Sequence, residues 1–152
     1  MANTFSQIYL QFVFAVQNRQ SLIAKQHKEE LHKYITALVQ HRKAKMLAVN
    51  CMPDHIHLFV GFKPTILIYD FVKEIKVENE FINSKDWVRG KFSWQEGYGV
   101  FSYSQSHVDN VVNYVLNQEA HHQKKTFKQE YLGLLKKFEL EYDERYVFDF
   151  FE

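Results

Sequence analysis

Two histidines one residue apart, and a tyrosine followed four residues later by a glutamine, are the side chains here whose types and spacing could do chemistry together. The histidines lie in CMPDHIHLFV. In an extended strand alternate side chains share a face, so His55 and His57 point one way and Ile56, Leu58 and Val60 the other, away from the histidines. Their Cα atoms then lie roughly 7 Å apart, close enough for two imidazoles to converge on one ion. The second pair lies in HVDNVVNYVLNQEAHH. On a helix Tyr114 and Gln118 are one turn apart, on a stripe with Asn110, Asn117 and His121 that faces away from the apolar stripe Val108, Val111, Val112 and Val115. Glu119, His121 and His122 fall near them by helical position and read as outer or exposed groups. Singly, each pair also has an ordinary reading. Eight histidines and nine tyrosines leave room for surface imidazoles on a strand and for an amide-rich, solvated helix face with an amphipathic tyrosine at its edge.

The combination is more specific. CMPDHIHLFV followed by NYVLNQEAHH, with WQEGYGVF ahead of the tyrosine helix, resembles the single-tyrosine HUH transposases of small bacterial insertion sequences, over most of the chain. The resemblance implies that His55, His57 and Gln118 hold a divalent metal, Mg or Mn, and that Tyr114 is the catalytic nucleophile. It also implies single-stranded DNA hairpins at element ends as substrate, a cytoplasmic homodimer, and sometimes a tyrosine helix that completes the partner subunit's site. Ligand type alone leaves zinc open, since imidazole favours it over magnesium.

These residue types suit strand transfer. A cation beside a scissile phosphate offsets charge developing on the non-bridging oxygens, and two neutral imidazoles with an amide oxygen leave its charge undiminished. A tyrosine nucleophile retains the phosphate as a phosphotyrosine and releases a 3′-hydroxyl. Attack by another 3′-hydroxyl on that adduct rejoins a strand without a nucleotide cofactor, because a phenol of pKa about 10 is an acceptable leaving group. Three other readings compete. They are a non-catalytic module binding single-stranded or hairpin DNA, a replication-initiator-like HUH nickase or relaxase, which usually has a longer chain, and a hydrolase that frees a 5′-phosphate.

The elements that must position these residues are legible in the hydrophobic periods. Alternation from Phe5 to Val16, with Ile8, Leu10, Phe12, Phe14 and Val16 on one side and Gln7, Tyr9 and Gln11 on the other, predicts a half-buried strand, ended by a turn near Asn18. Helical spacing of Leu31, Tyr34, Ile35, Leu38 and Val39 predicts a helix from Lys25 to His41. Lys45–Cys51 and His55–Phe62 read as neighbouring strands around Pro53. Pro64 and Thr65 open a helix that carries Ile68, Phe71, Val72, Ile75 and Ile82 and ends near Asn83. After a polar stretch from Ser84 to Gly99 come a strand at Val100–Tyr103, a helix capped by Ser106, and a helix from Phe127 to Leu140. The order strand, helix, strand, strand, helix, strand is α+β and ferredoxin-like (RRM-like): an antiparallel four-stranded sheet with two helices on one face, plus C-terminal helices.

Length and composition fit this. At 152 residues the chain fits one catalytic domain, 1–152, able to bury an independent core. Cys51, the one cysteine, excludes an intrachain disulfide and a Cys-based zinc motif, and reads as a small core residue in a reducing compartment. No stretch approaches the roughly 20 apolar residues of a membrane span. From residue 138 onward six acidic residues face one arginine, Arg145, a local charge of −5, so with a net charge of +1 the rest of the chain carries +6. The acidic tail, 138–152, stands apart from the site motifs. Candidate phosphate contacts on the basic body are Arg42, Lys43 and Lys45, then Lys73 and Lys76, then Lys124 and Lys125 with Lys128. Trp87 and Trp94 are either base platforms or structural anchors, and Gly97 and Gly99 could help the tyrosine helix move.

Overall fold

The computed structural model describes residues 4–17, 23–77, 79–88, 91–122, 124–143 and 147. The expected turn near Asn18 and much of the acidic tail lie outside them. The elements are β1 (Ile8–Ala15), α1 (Lys28–His41), β2 (Lys45–Met52), β3 (His55–Phe62), α2 (Ile68–Lys76), α3 (Asn79–Ser84), β4 (Gly99–Tyr103), α4 (Val108–Leu116), α5 (Gln118–His121) and α6 (Phe127–Lys137). The strands form one sheet in the order β2-β3-β1-β4, and every neighbouring pair is antiparallel. This is the ferredoxin-like arrangement. Among the described residues no helix is long and apolar enough to cross a membrane.

The two faces of the sheet are packed by different helices. On one, Phe12, Phe14, Ile56, Leu58 and Val60 meet Leu31, Ile35 and Val39 of α1 and Phe71, Val72 and Ile75 of α2. On the other, Val13, Ala15 and Phe101 meet Phe127, Tyr131, Leu134 and Leu135 of α6, while Ala48 and Phe59 meet Val111 and Val115 of α4. This second cover changes the expectation for β1. Its alternation is real, but Gln11 is buried along with Val13 and Ala15, because α6 closes the face that carries the polar positions. His55 and His57 leave the larger core, yet they too are buried.

Several boundaries shift for local reasons. Pro64 starts a turn in which Ile66 N–H donates to Lys63 O, and α2 begins only at Ile68. The single helix expected to reach Asn83 is divided into α2 and α3. Ser106 does not cap α4. It lies in a short 3-10 turn, Gln105–His107, where the Ser104 hydroxyl bonds the hydroxyl of Ser106 and Nδ1 of His107. By contrast α6 opens on a capping box, in which Thr126 accepts from Gln129 N–H and the Gln129 side chain accepts from Thr126 N–H. It ends before Glu139, whose φ of 55° turns the chain so that Leu140 N–H bonds Leu135 O.

Gly99 has a packing role. A Cβ there would lie 2.8 Å from Cε1 of Tyr131 and 2.9 Å from Cε2 of Phe101. The bare backbone lets the Tyr131 ring sit against β4 and seats α6 on the sheet.

Candidate active site

β3 is an inner strand, and His57 stands between Val13 of β1 and Asn50 of β2. Asn50 sets the helix above. Its Nδ2 donates to the carbonyls of Val115 at 2.9 Å and Leu116 at 3.1 Å. Those carbonyls belong to the last turn of α4, just before Asn117 (φ −98°, ψ 22°) breaks the helix and α5 starts at Gln118. The HVDNVVNYVLNQEAHH segment is therefore two helices rather than one. Asn50 satisfies carbonyls at the break, and Tyr114 and Gln118 stay on the side facing β3.

Around His55 and His57 the structure gathers Gln118, Tyr114, His122 and a residue the sequence reading passed over, Glu130 of α6. Oε1 of Glu130 lies 3.1 Å from His57 Nε2, 3.0 Å from His122 Nε2 and 3.7 Å from His55 Nε2. Gln118 Oε1 lies 2.9 Å from His122 Nε2 and 3.4 Å from His55 Nε2. The other Glu130 oxygen accepts from the Tyr114 hydroxyl and, at 3.0 Å, from Gln118 Nε2. The Tyr114 ring stands edge-on to His57, with 5.8 Å between centroids. His55 stacks on Phe127 at 3.9 Å.

Each imidazole is held from behind. Nδ1 of His55 meets the Asp54 carboxylate at 2.7 Å, Nδ1 of His57 meets Gln11 Oε1 at 2.7 Å, and Nδ1 of His122 meets Lys125 O at 2.9 Å. All three partners are acceptors, so each Nδ1 donates, and each Nε2 faces inward, carrying a lone pair in the neutral ring and a proton in the cation. Inside they meet the carboxylate and carboxamide oxygens, which are also acceptors. Such a set is relieved only by shared protons or by a cation. Ligands bound at about 2.1 Å to one ion lie roughly 3.0–3.4 Å apart, close to the spacings above. His55, His57, His122 and Glu130 could therefore hold a metal ion, with Gln118 beside them, and backing of Nδ1 is the usual outer support of such a site.

The electrostatics follow from burial and from Glu130. Burial lowers the His55 pKa, and the hydrogen bond to Asp54 offsets this only in part. Burial also works against the His122 cation, but the hydrogen bond and charge of Glu130 and the Lys125 carbonyl leave its pKa raised. For Glu130 burial opposes ionisation, yet hydrogen bonds from His122 and His57, the His57 charge and the Tyr114 hydroxyl hold the carboxyl well below the usual range. Tyr114 is pushed well above the ordinary phenol value by burial first, then by the charge of Glu130 and the hydrogen bond to it.

Of the residues expected at the site, His55, His57, Tyr114 and Gln118 are brought together within one chain. His122, expected as an outer group, enters the cluster. Glu119 turns outward to pair with Lys25 at 2.8 Å, and the His121 side chain lies outside the described residues. The basic candidates separate. Lys125 lines the groove that contains Tyr114, and Lys124 is exposed beside it. Lys73 and Lys76 sit on α2, which packs the opposite face of the sheet. The Lys76 ammonium is held by the carbonyls of Gln95 and Glu96. Arg42 pairs with Glu74, Lys43 is in the turn after α1, and Lys45 pairs with Gly61, near the end of β3 remote from His55. Both tryptophans are anchors, Trp94 buried against Phe14 and Phe92 and Trp87 stacked on His27.

Fold and site thus define a ferredoxin-like sheet bearing a buried histidine–carboxylate cluster with a tyrosine at its edge. The sequence profile of the family described as "Transposase IS200 like" matches residues 4–118, and the chain belongs to this family. Among solved structures it is similar to a candidate transposase of Deinococcus radiodurans R1, with 22% identity over 78% of this chain and 95% of that one and a TM-score of 0.59. It is also similar to a REP-associated tyrosine transposase bound to a REP hairpin, with 15% identity over 80% of this chain and 73% of that one and a TM-score of 0.59. No curated protein matches the sequence significantly. α6, with Glu130, lies beyond the matched family segment.

Proposed function

We propose that this transposase cleaves and rejoins single-stranded DNA at hairpin-marked element ends, with Tyr114 as nucleophile and His55, His57 and Gln118, joined by His122 and Glu130, holding a divalent metal, Mg or Mn. The observation that carries the reading is the convergence within one chain of the Tyr114 phenol and the inward-facing Nε2 atoms on a single carboxylate. The hairpin-bound relative supports the choice of substrate. The proposal includes a homodimer in the cytoplasm, and the exposed apolar side chains Leu67, Ile68, Tyr69 and Val77 give it a surface for self-association.

A divalent cation in the cluster would supply an electrophile that offsets charge on the non-bridging phosphate oxygens. The chain supplies the rest. Glu130 orients the Tyr114 hydroxyl, and the phenolic oxygen attacks phosphorus in line with the bond to the 3′-oxygen as its proton passes to solvent. That bond breaks, its electron pair leaves on the 3′-oxygen, which takes up a proton, and the 5′-phosphate remains on Tyr114. Attack by a second 3′-hydroxyl reverses these steps and returns the phenol. The α4–α5 break, fixed by Asn50, holds nucleophile and cluster in register.

The test is incubation with labelled hairpin-containing single strands and Mn²⁺, followed by a denaturing gel. A covalent complex is expected with the parent chain and with Tyr131→Phe. Tyr114→Phe should lose it, and His57→Ala should lose it while retaining hairpin binding. An adduct that persists in Tyr114→Phe contradicts the assignment, and hairpin binding without any adduct favours a non-catalytic module.

A further inference from the structure

The buried cluster is reached from outside by a groove of about 390 Å³ between α4 and α6, with Tyr114 and Glu130 in its lining and Asn110, Gly133, Lys125 and Lys137 among its other walls. We propose that this groove binds the single-stranded DNA segment adjoining the phosphate attacked by Tyr114, with Lys125 and Lys137 as phosphate contacts and Gly133 keeping the passage open. This rests on the reading above and adds the path of the strand.

Three observations carry it. The first is access. His55, His57 and Gln118 are buried, whereas Tyr114 is only part-buried and lines the groove, so a strand lying there meets the phenol. The size suits a nucleotide or so of single strand rather than a duplex.

The second is charge. Lys125 and Lys137 are exposed, and the one carboxylate in the lining, Glu130, is 3% exposed and turned to the imidazoles and the phenol. The open part of the groove therefore offers ammonium and amide groups and no exposed carboxylate, which fits a phosphodiester backbone.

The third is Gly133. Glycine inside a helix costs stability relative to alanine, and here packing does not demand it, since an added Cβ would meet nothing within 4 Å. Gly99 is the contrast, where a Cβ would strike Tyr131. At Gly133 the missing side chain leaves open space in the wall of the groove, and a large side chain there would fill the passage without disturbing the core.

The experiment compares two probes over a salt series: a fluorescent DNA hairpin with a single-stranded oligothymidylate tail of about ten nucleotides, and the same hairpin without a tail. Against the tailed probe, Lys125→Ala with Lys137→Ala should flatten the slope of log K on log salt by about 1.4, the single-strand value for two phosphate contacts. The blunt hairpin should bind as it does to the parent. Gly133→Trp, with its melting temperature checked against the parent, should lose tail-dependent affinity about tenfold or more and keep blunt-hairpin binding. Unchanged tail affinity in these variants, or an equal loss on both probes, overturns the assignment. A parent chain that shows the tail dependence but forms no covalent adduct would retire the phosphotyrosine reading and leave the groove as a strand-binding site.

Discussion

The Tyr114 hydroxyl donates to one oxygen of Glu130 while the other oxygen of the same carboxylate lies 3.1 Å from His57 Nε2. A single side chain of α6 thus joins the Tyr114 phenol to the imidazole cluster. Glu130 raises the phenol pKa by its charge and hydrogen bond, so at rest the proton belongs to Tyr114. A cation in the cluster would compete for that charge and loosen its hold.

Glu130→Gln preserves the shape and removes the charge. Calorimetric titration with Mn²⁺ should show affinity reduced about tenfold or more, the scale on which supporting groups act at metal sites. The His122 pKa, followed by NMR, should fall, since burial would then act without the opposing carboxylate. Unaltered Mn²⁺ affinity would remove Glu130 from the cluster's chemistry.

Gly99→Ala places a methyl 2.8 Å from the Tyr131 ring. Overpacking of this kind costs about 1–3 kcal/mol, and about 2–4 °C of melting temperature per kcal/mol for a chain of this size. Thermal denaturation checks it. Tyr131→Leu in the same chain should recover part of the loss, because the two positions touch and are not additive.

Asn50→Leu leaves the carbonyls of Val115 and Leu116 without their buried donor. The expected cost is about 1–3 kcal/mol, read by urea denaturation. The adduct-forming rate should drop further than stability alone explains, since the α4–α5 break positions both Tyr114 and Gln118.

His32 gives a pH signature away from the cluster. Its Nε2 accepts from the backbone N–H of Cys51 at 3.0 Å, and burial, then the charge of Lys28, lower its pKa to about 4. Between that value and the unfolded value of about 6.5 the unfolded chain binds more protons, so stability rises with pH. The contribution is complete above about pH 6.5 and is lost as pH falls toward 4. His32→Gln should flatten that part of the stability profile, measured by denaturant titration at several pH values.

How much of this was legible in the sequence depends on what each residue type reports. The strand and helix order, the shared face of His55 and His57, and the proximity of Tyr114 to Gln118 follow from periods of two and 3.6. Glu130 does not, because the stripe Phe127, Tyr131, Leu134 reads as apolar and the carboxylate between its members looks like a solvated charge. A charged residue at an i, i+3 position of a buried stripe was nevertheless the available signal. His122 was similarly visible, one turn beyond Gln118. The Asn117 break had no signal in spacing, since it depends on Asn50 of a distant strand. Nor could local pattern show that α6 roofs the second face of the sheet, because that burial comes from tertiary packing.

The most direct measurement is peptide mapping by mass spectrometry of the complex trapped on hairpin DNA in Mn²⁺. The account predicts one modified peptide, bearing a 5′-phosphonucleotide on Tyr114. A nucleotide mapped to Tyr103, Tyr131 or any other side chain, or a free 5′-phosphate with no modified peptide, would contradict it.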